Sequence, residues 1–310
     1  MVQSVKGFKV DYELPSSFCR YDDLKPEYKL LKINRRFNWL KDVHLAYDNQ
    51  LIKFIDDINR YNNTPIIIDG CNEAVSHYLN DLGFECIRIG KEAILDLAAD
   101  HIQKKSLKEL IRRGSRKKYF SEITFSEENM DRLKTFIKET SHGDEPQLNY
   151  LFNNTFLPFN RLFVSKDKND FWYGAILLSY KEKDFVQTEL MLRRKHASVG
   201  VMEALIEQIY NHLKIEGIHF WSLGAVPFTI YNQSIFTKEG IINFVGRRLR
   251  FAYNYKGLFQ FKAKFNPVWI DYYFCFKSGL TLLLLFSILI KTNLSALTAH
   301  KFKQKLLSAL

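Results

Sequence analysis

Apolar residues recur along the chain with two periods, one helical and one alternating, and their succession predicts a mixed α/β protein. Gln50–Tyr61 has helical spacing and leads into a short apolar strand run, Thr64–Gly70 (TPIIIDG). Asn72–Leu82 predicts a second helix, with Asn72 as its cap and Gly83 as its stop. Phe84–Gly90 and Glu92–Leu97 then read as strands, which completes a strand–helix–strand rhythm.

The pattern changes at His101–Phe120, where eight Lys/Arg stand against one Glu. Leu107, Leu110 and Ile111 fit one helical face of this segment, and Gly114 ends it. A second set of elements follows. Glu127–Glu139 is helical, and Arg161–Ser165, Phe171–Tyr180 and Phe185–Leu192 read as three successive strands. Ser198–Glu216 is a long amphipathic helix, and Gly217–Leu223 a strand. Gly279–Ile290 (GLTLLLLFSILI) has twelve residues without a charge. A membrane span needs about 20, so three readings stay open: a buried core helix, a membrane-surface helix and a span.

Successive strands, a helix at a signature turn and a further strand resemble the core of the GNAT acyltransferase fold. Two tandem GNAT-like halves fit the length, and the expected division is 1–120, 121–273 and a hydrophobic, basic helical tail at 274–310. Charge then narrows the class. The 310 residues carry 45 Lys+Arg and 34 Asp+Glu, a formal charge of +11, which favours polyanionic partners. With 46% hydrophobic and 25% charged residues, disorder is excluded as the main state. The four cysteines Cys19, Cys71, Cys86 and Cys275 show no ligand spacing and are expected as buried thiols in a reducing compartment. Residues 1–15 lack the apolar core of a signal peptide, so a cytoplasmic location is expected.

No nucleophile elbow, H-E-x-x-H or P-loop occurs, and the eight histidines are scattered. Hydrolase and NTPase readings are disfavoured. At the turn before the long helix (LRRKHASVGVMEAL, Leu192–Leu205) only Gly200 is present. Acyl-CoA enzymes of this fold carry a glycine-rich loop there, whose amides hold a pyrophosphate.

Four stretches resemble the C-terminal catalytic domain of bacterial phosphatidylglycerol lysyl- and alanyltransferases. They are Tyr78–Leu97, Lys104–Gly114, Trp221–Phe228 and Tyr253–Trp269, the last (YNYKGLFQFKAKFNPVW) being the most specific. The resemblance runs from about Asp42 to about Tyr273. It implies transfer of an aminoacyl group from aminoacyl-tRNA to the hydroxyl of an anionic phospholipid, or to another hydroxyl or amine acceptor, without metal or cofactor. By the same resemblance Lys262 is expected at the reaction centre, against the donor carbonyl or developing oxyanion. Glu189, in Glu189-Leu190-Met191-Leu192, takes the place of the family's Asp-Leu-Met-Arg acid and would bind the donor's α-ammonium. Leu192 departs from the motif's arginine, and Arg193 or Arg194 would have to substitute.

Lys264, Ser222, Gly224, Pro227 and Asn266 are the remaining substrate-binding candidates. Lys104, Lys105, Lys108, Arg112, Arg113, Arg116 and Lys117 form a candidate tRNA or anionic-surface face. The resemblance does not extend to the membrane helices of full-length members, so peripheral contact with the inner face of the plasma membrane through Gly279–Ile290 is expected. Two alternatives stand beside this reading: an acyl-CoA-dependent N-acyltransferase, and a non-catalytic basic module that binds RNA or membrane.

Overall fold

The structure is a computed structural model that describes residues 13–22, 25–151, 153–230 and 236–307. Most of the stretch read for a signal sequence, 1–12, lies outside the described residues. In chain order the elements are β1 (Phe18–Arg20), β2 (Glu27–Lys32), β3 (Asn38–Leu45), α1 (Leu51–Tyr61), β4 (Ile66–Cys71), α2 (Glu73–Asp81) and β5 (Phe84–Asp96). Then come α3 (Lys105–Gly114), β6 (Tyr119–Ile123), α4 (Glu127–Lys138), β7 (Arg161–Lys166), β8 (Trp172–Glu182), β9 (Phe185–Arg193), α5 (Val201–Ile215) and β10 (Phe220–Pro227). The chain continues with α6 (Lys238–Arg248), a 3-10 turn (Leu249–Phe251), α7 (Tyr255–Ala263), β11 (Val268–Lys277), α8 (Leu282–Lys291) and α9 (Leu294–Leu307).

The fold is mixed α/β and divides into two compact units that interleave in sequence. The first comprises 1–93, 225–260 and 268–310, the second 94–224 and 261–267. The division expected after residue 120 therefore falls near Ala93, and the expected tail 274–310 is part of the first unit. The physical reason is β11, which the chain inserts between β4 and β5 of the first unit's sheet, carrying the C-terminal helices with it.

In that unit the strand order is β1-β3-β4-β11-β5, with β2 antiparallel to β3. Helix α1 buries Leu51, Phe54, Ile55 and Ile58 on one stripe, the spacing that makes an amphipathic helix. Helix α2 starts where predicted, the Asn72 side chain accepting from the Val75 amide. The two strands expected on either side of Lys91 are one, because Gly90 lies where a Cβ would be 2.2 Å from the Val226 carbonyl oxygen and so lets backbones touch without a break. Cys86 and Cys275 sit on the neighbouring strands β5 and β11, Cα atoms 4.0 Å apart, and form a disulfide. This corrects the expectation of four thiols. A separation of 189 residues hid the pairing, while Cys19 and Cys71 are buried and free.

In the second unit the order is β10-β9-β8-β7-β6. Strands β6 to β9 are antiparallel neighbours, and β10 returns parallel to β9 after α5. A parallel return needs a crossover, which α5 supplies. Leu133 and Phe136 of α4 pack on Leu162, Val164, Trp172 and Leu177 to form this unit's core. Ser126 caps α4 by accepting from the Asn129 amide.

Candidate functional site

Two buried polar residues of the second unit, Gln187 on β9 and Ser222 on β10, face each other across paired strands. In the β8–β9 ladder Leu178 pairs with Thr188 and Leu177 with Leu190, so Glu189 is the extra residue of a β-bulge. A bulge re-aims the side chain it carries and is over-represented beside active sites. The Glu189 carboxylate accepts from Ser179 Oγ, and from Gln187 Nε2 at 2.9 Å. Gln187 Nε2 also reaches Ser179 Oγ at 3.1 Å. Ser179 and Gln187 are buried, and buried polar groups persist only when hydrogen-bonded. The two side chains thus fix the carboxylate's direction.

On the other edge, β10 runs parallel to β9 from Phe220 opposite Phe185 to Ser222 opposite Gln187. Trp221 Nε1 donates to Thr188 Oγ1 at 3.0 Å, and Ser222 Oγ accepts from the Gly224 amide at 2.9 Å. Gly224 has φ +88°, a left-handed conformation open to glycine but strained for other residues. Its carbonyl accepts from Lys262 Nζ at 2.9 Å. A Cβ on Gly224 would lie 3.4 Å from Lys262 Nζ and 3.6 Å from the Thr188 carbonyl oxygen. Gly224 therefore lies between the ammonium and the β9 backbone at Thr188, the residue before Glu189.

Lys262 is carried by a helix, not a strand. It lies in the last turn of α7, and 95% or more of it is buried. The segment behind it is fastened at each residue. Ala263 O accepts from Lys104 Nζ at 3.2 Å, and Lys264 Nζ meets the buried Glu203 of α5 at 2.6 Å. Phe265 is buried, and its carbonyl faces His101 Nδ1 at 2.9 Å, while His101 Nε2 faces Asp96 O at 2.8 Å. Lys264 thus positions the segment through α5. Asn266, exposed in the left-handed region before Pro267, closes the turn. Pro227 lies in the first unit, its Cα against the place a Cβ on Gly90 would occupy.

Leu192, which departs from the resembled motif, packs against the α4–β7–β8 core. Arg194 is also absorbed by structure: it donates to Trp172 O, pairs with Glu139 at 2.6 Å and covers the Phe171 ring at 3.9 Å. Arg193 is exposed, opposite Gly174 in the ladder. Sequence reasoning missed Ser179, Gln187, Thr188 and His101, whose importance comes from cross-strand register and long-range packing.

Ahead of α5 the chain is closed off. A Cβ on Gly200 would lie 1.9 Å from Leu110 O, and one on Gly114 would lie 2.0 Å from Gly200 O and 2.7 Å from the Val201 amide nitrogen. Backbone of α3 therefore presses directly on the first turn of α5, and Lys118 Nζ covers Ser198 Oγ at 3.0 Å. The space before this turn, where a pyrophosphate would sit, is thus approached by protein backbone. On its outer side α3 exposes Lys104, Lys105, Lys108, Arg112 and Arg113, followed by Arg116 and Lys117. Arg112 and Arg113 hold Glu109, and their hydrogen bonds lower its carboxyl to about 2.

Among the described residues one group has metal-ligand chemistry: Glu122, His212 and Glu216. The Arg161 guanidinium occupies its centre, with Glu122 at 2.7 and 2.8 Å and Glu216 at 2.5 and 2.9 Å. Burial raises the Glu122 carboxyl and the Arg161 bonds outweigh it, so the net direction is down. The group is an ion-pair cluster joining β6, β7 and α5.

Comparison with known proteins completes the description. The profile of the family described as "Phosphatidylglycerol lysyltransferase, C-terminal" matches residues 46–276. A phosphatidylglycerol lysyltransferase from Bacillus subtilis (strain 168) is 23% identical over 216 residues, 66% of this chain. The match spans only 25% of that relative's length. Among solved structures, L-PGS from Bacillus licheniformis superposes with a TM-score of 0.65 at 20% identity, covering 85% of this chain and 84% of that one. The C-terminal domain (DUF2156) of a putative lysylphosphatidylglycerol synthetase from Agrobacterium fabrum gives 0.63 at 20% identity, over 85% and 82%.

Proposed function

The chain belongs to the phosphatidylglycerol lysyltransferase C-terminal family, whose profile covers residues 46–276, and from that premise we propose that it is an aminoacyltransferase. The donor is an aminoacyl-tRNA and the acceptor the hydroxyl of an anionic phospholipid such as phosphatidylglycerol. The observation that carries this reading is the Lys262 ammonium held at Gly224 O beside the bulge that bears Glu189.

The reaction is a transesterification. The acceptor oxygen attacks the aminoacyl carbonyl carbon and forms the new ester bond; the bond to the tRNA ribose oxygen breaks, and the acceptor's proton ends on that oxygen. A cation fixed before the reaction stabilises the negative charge that develops on the carbonyl oxygen, because no solvent has to reorganise. Lys262 fills that role. Glu189, oriented by Ser179 and Gln187, holds the donor's α-ammonium through a charge-assisted hydrogen bond. Exposed Arg193 is the arginine available to the donor's phosphate, since Arg194 is engaged with Glu139 and Phe171. The basic face of α3 is the docking surface for tRNA, tied to the Lys262 segment through the Lys104–Ala263 bond.

The two units are read as tandem GNAT-like halves. What supports this in the second unit is the antiparallel run β6–β9 followed by α5 and a parallel β10. An acyl-CoA donor is disfavoured by the α3 backbone on the first turn of α5. A non-catalytic module is disfavoured by the buried Ser179 and Gln187 that hold the half-buried Glu189, an arrangement a mere binding surface does not need.

The test is incubation with a pool of tRNAs charged with radiolabelled amino acids and phosphatidylglycerol vesicles. Label is expected in the organic phase. Intact charged tRNA after long incubation would refute the proposal.

A further inference from the structure

The first unit carries a surface that the transfer chemistry does not use. Helix α8 is fixed by Leu284 and Ile288, which are buried, and by a 3.3 Å hydrogen bond from Asn34 Nδ2 to Ser287 Oγ. At 3.6 residues per turn these two side chains lie on one side of the helix, and Leu282, Leu283, Phe286 and Ile290 lie on the other. Those four are exposed, Leu282 by 80% and Phe286 by 60%. Helix α9 packs on α8 and exposes Phe302 and Leu306; it also meets the 3-10 turn beside α6, where Phe244 and Val245 are exposed. Single exposed apolar residues are ordinary, but a run of adjoining elements that each expose large ones marks an interaction surface.

Charge identifies the partner. After Asp271 the sequence has no Asp or Glu, while Lys277, Lys291, Lys301, Lys303 and Lys305 follow. Asp271 itself is bound to Arg88 at 2.9 Å and Lys91 at 3.3 Å. Arg247, Arg248 and Arg250 add cations beside the same helices. The carboxylates beside these elements are engaged, Glu85 with Lys238 and the Leu280 amide and Glu239 with the Arg88 amide, so apolar residues bordered by an excess of cations match an acyl–headgroup boundary that carries negative lipid. Among the described residues no single helix is long and apolar enough to cross a membrane, and the ten residues of α8 cover about 15 Å of a hydrocarbon core about 30 Å thick. The α8–α9 pair bends by 71° at its break.

We infer that the α8–α9 corner, with α6 beside it, docks on an anionic phospholipid bilayer, α8 lying in the interface plane with Leu282, Leu283, Phe286 and Ile290 inserted. The inference deepens the proposed function, since it places the chain at the surface that holds the acceptor. Its test omits the donor, so that docking and transfer fail separately.

The experiment is flotation of the full chain with phosphatidylcholine vesicles, with and without phosphatidylglycerol. The protein is expected to float with the anionic vesicles, and less as salt rises. In Leu283→Glu/Phe286→Glu the partition coefficient is expected to fall by about a hundredfold, because two large apolar groups leave the interface. Far-UV circular dichroism should be unchanged, since both positions face outward. Lys301→Glu/Lys303→Glu/Lys305→Glu should lose the preference for anionic vesicles. Three results would overturn the inference: a wild type that stays at the bottom with anionic vesicles, a Leu283→Glu/Phe286→Glu variant that floats as wild type does, or a dimer dissociated by that variant without flotation. Flotation without transfer in the charged-tRNA assay would leave docking intact and remove the aminoacyltransferase reading.

Discussion

Two ends of the β9–α5–β10 element in the second unit are built in opposite ways. At the first turn of α5, Gly200 and Gly114 bring backbone onto backbone. Between β9 and β10, the bulge at Glu189 holds a carboxylate on Ser179 and Gln187, and the left-handed Gly224 holds the Lys262 ammonium on its carbonyl. On the proposed reading, the first arrangement fills the seat of a pyrophosphate while the second supplies the charged groups that act on an acyl carbonyl. Under the proposed function, the contrast teaches that a donor can be exchanged without abandoning the strands that carry the chemistry.

The strongest way to break the comparison is at the closed end. Gly114→Val puts a Cβ against the Gly200 carbonyl, where neither partner is a flexible side chain. A loss of about 4 kcal/mol or more is expected in urea unfolding; unchanged stability would mean that the contact is absent. At the charged end, Glu189→Gln removes the charge but keeps a group able to accept from Ser179 and Gln187. Transfer per unit donor is expected to fall about a hundredfold, equivalent to ~2.7 kcal/mol, with the melting temperature held.

A smaller effect sharpens the frame around both ends. Arg161→Met leaves Glu122 and Glu216 without their shared cation, and about 2 kcal/mol should be lost at pH 7. The Glu122 carboxyl is held below its ordinary value of 4.5 in the folded chain. Its stabilisation is therefore complete above that value and disappears as pH falls through the lowered one. Thermal unfolding of wild type and variant should accordingly draw together as pH falls below about 4.5 and converge once the lowered value has been passed. The smallest expected effect is none at all: acetyl-CoA should not raise the melting temperature. A saturable rise would place a ligand where α3 now presses.

Much of this was legible in the sequence where signals are local. Helical periodicity gave α1 and α5, Asn72 announced α2, and the Lys262 stretch marked the family resemblance. What escaped depends on partners far apart in the chain. No local pattern states that β11 enters between β4 and β5, that Cys86 meets Cys275, or that Lys264 is spent on Glu203. Glu189 was visible as a motif residue, but its bulge arises from register with β8, and Ser179 and Gln187 acquire meaning only across that ladder. Leu192 reads as a lost arginine in the motif and as a core residue in the fold. Likewise Gly200 reads as a depleted phosphate loop until Gly114 is seen against it.

The central claim is that Lys262 acts on the carbonyl after the donor has bound, and single-turnover transfer from charged tRNA to phosphatidylglycerol tests it most directly. Wild type and Lys262→Met would be compared alongside retention of the charged tRNA on filters. The account predicts tRNA retention within about twofold and transfer slower by roughly 10²–10³ in the variant, the loss typical of removing one oxyanion-stabilising donor. Equal transfer rates in the two proteins would contradict it.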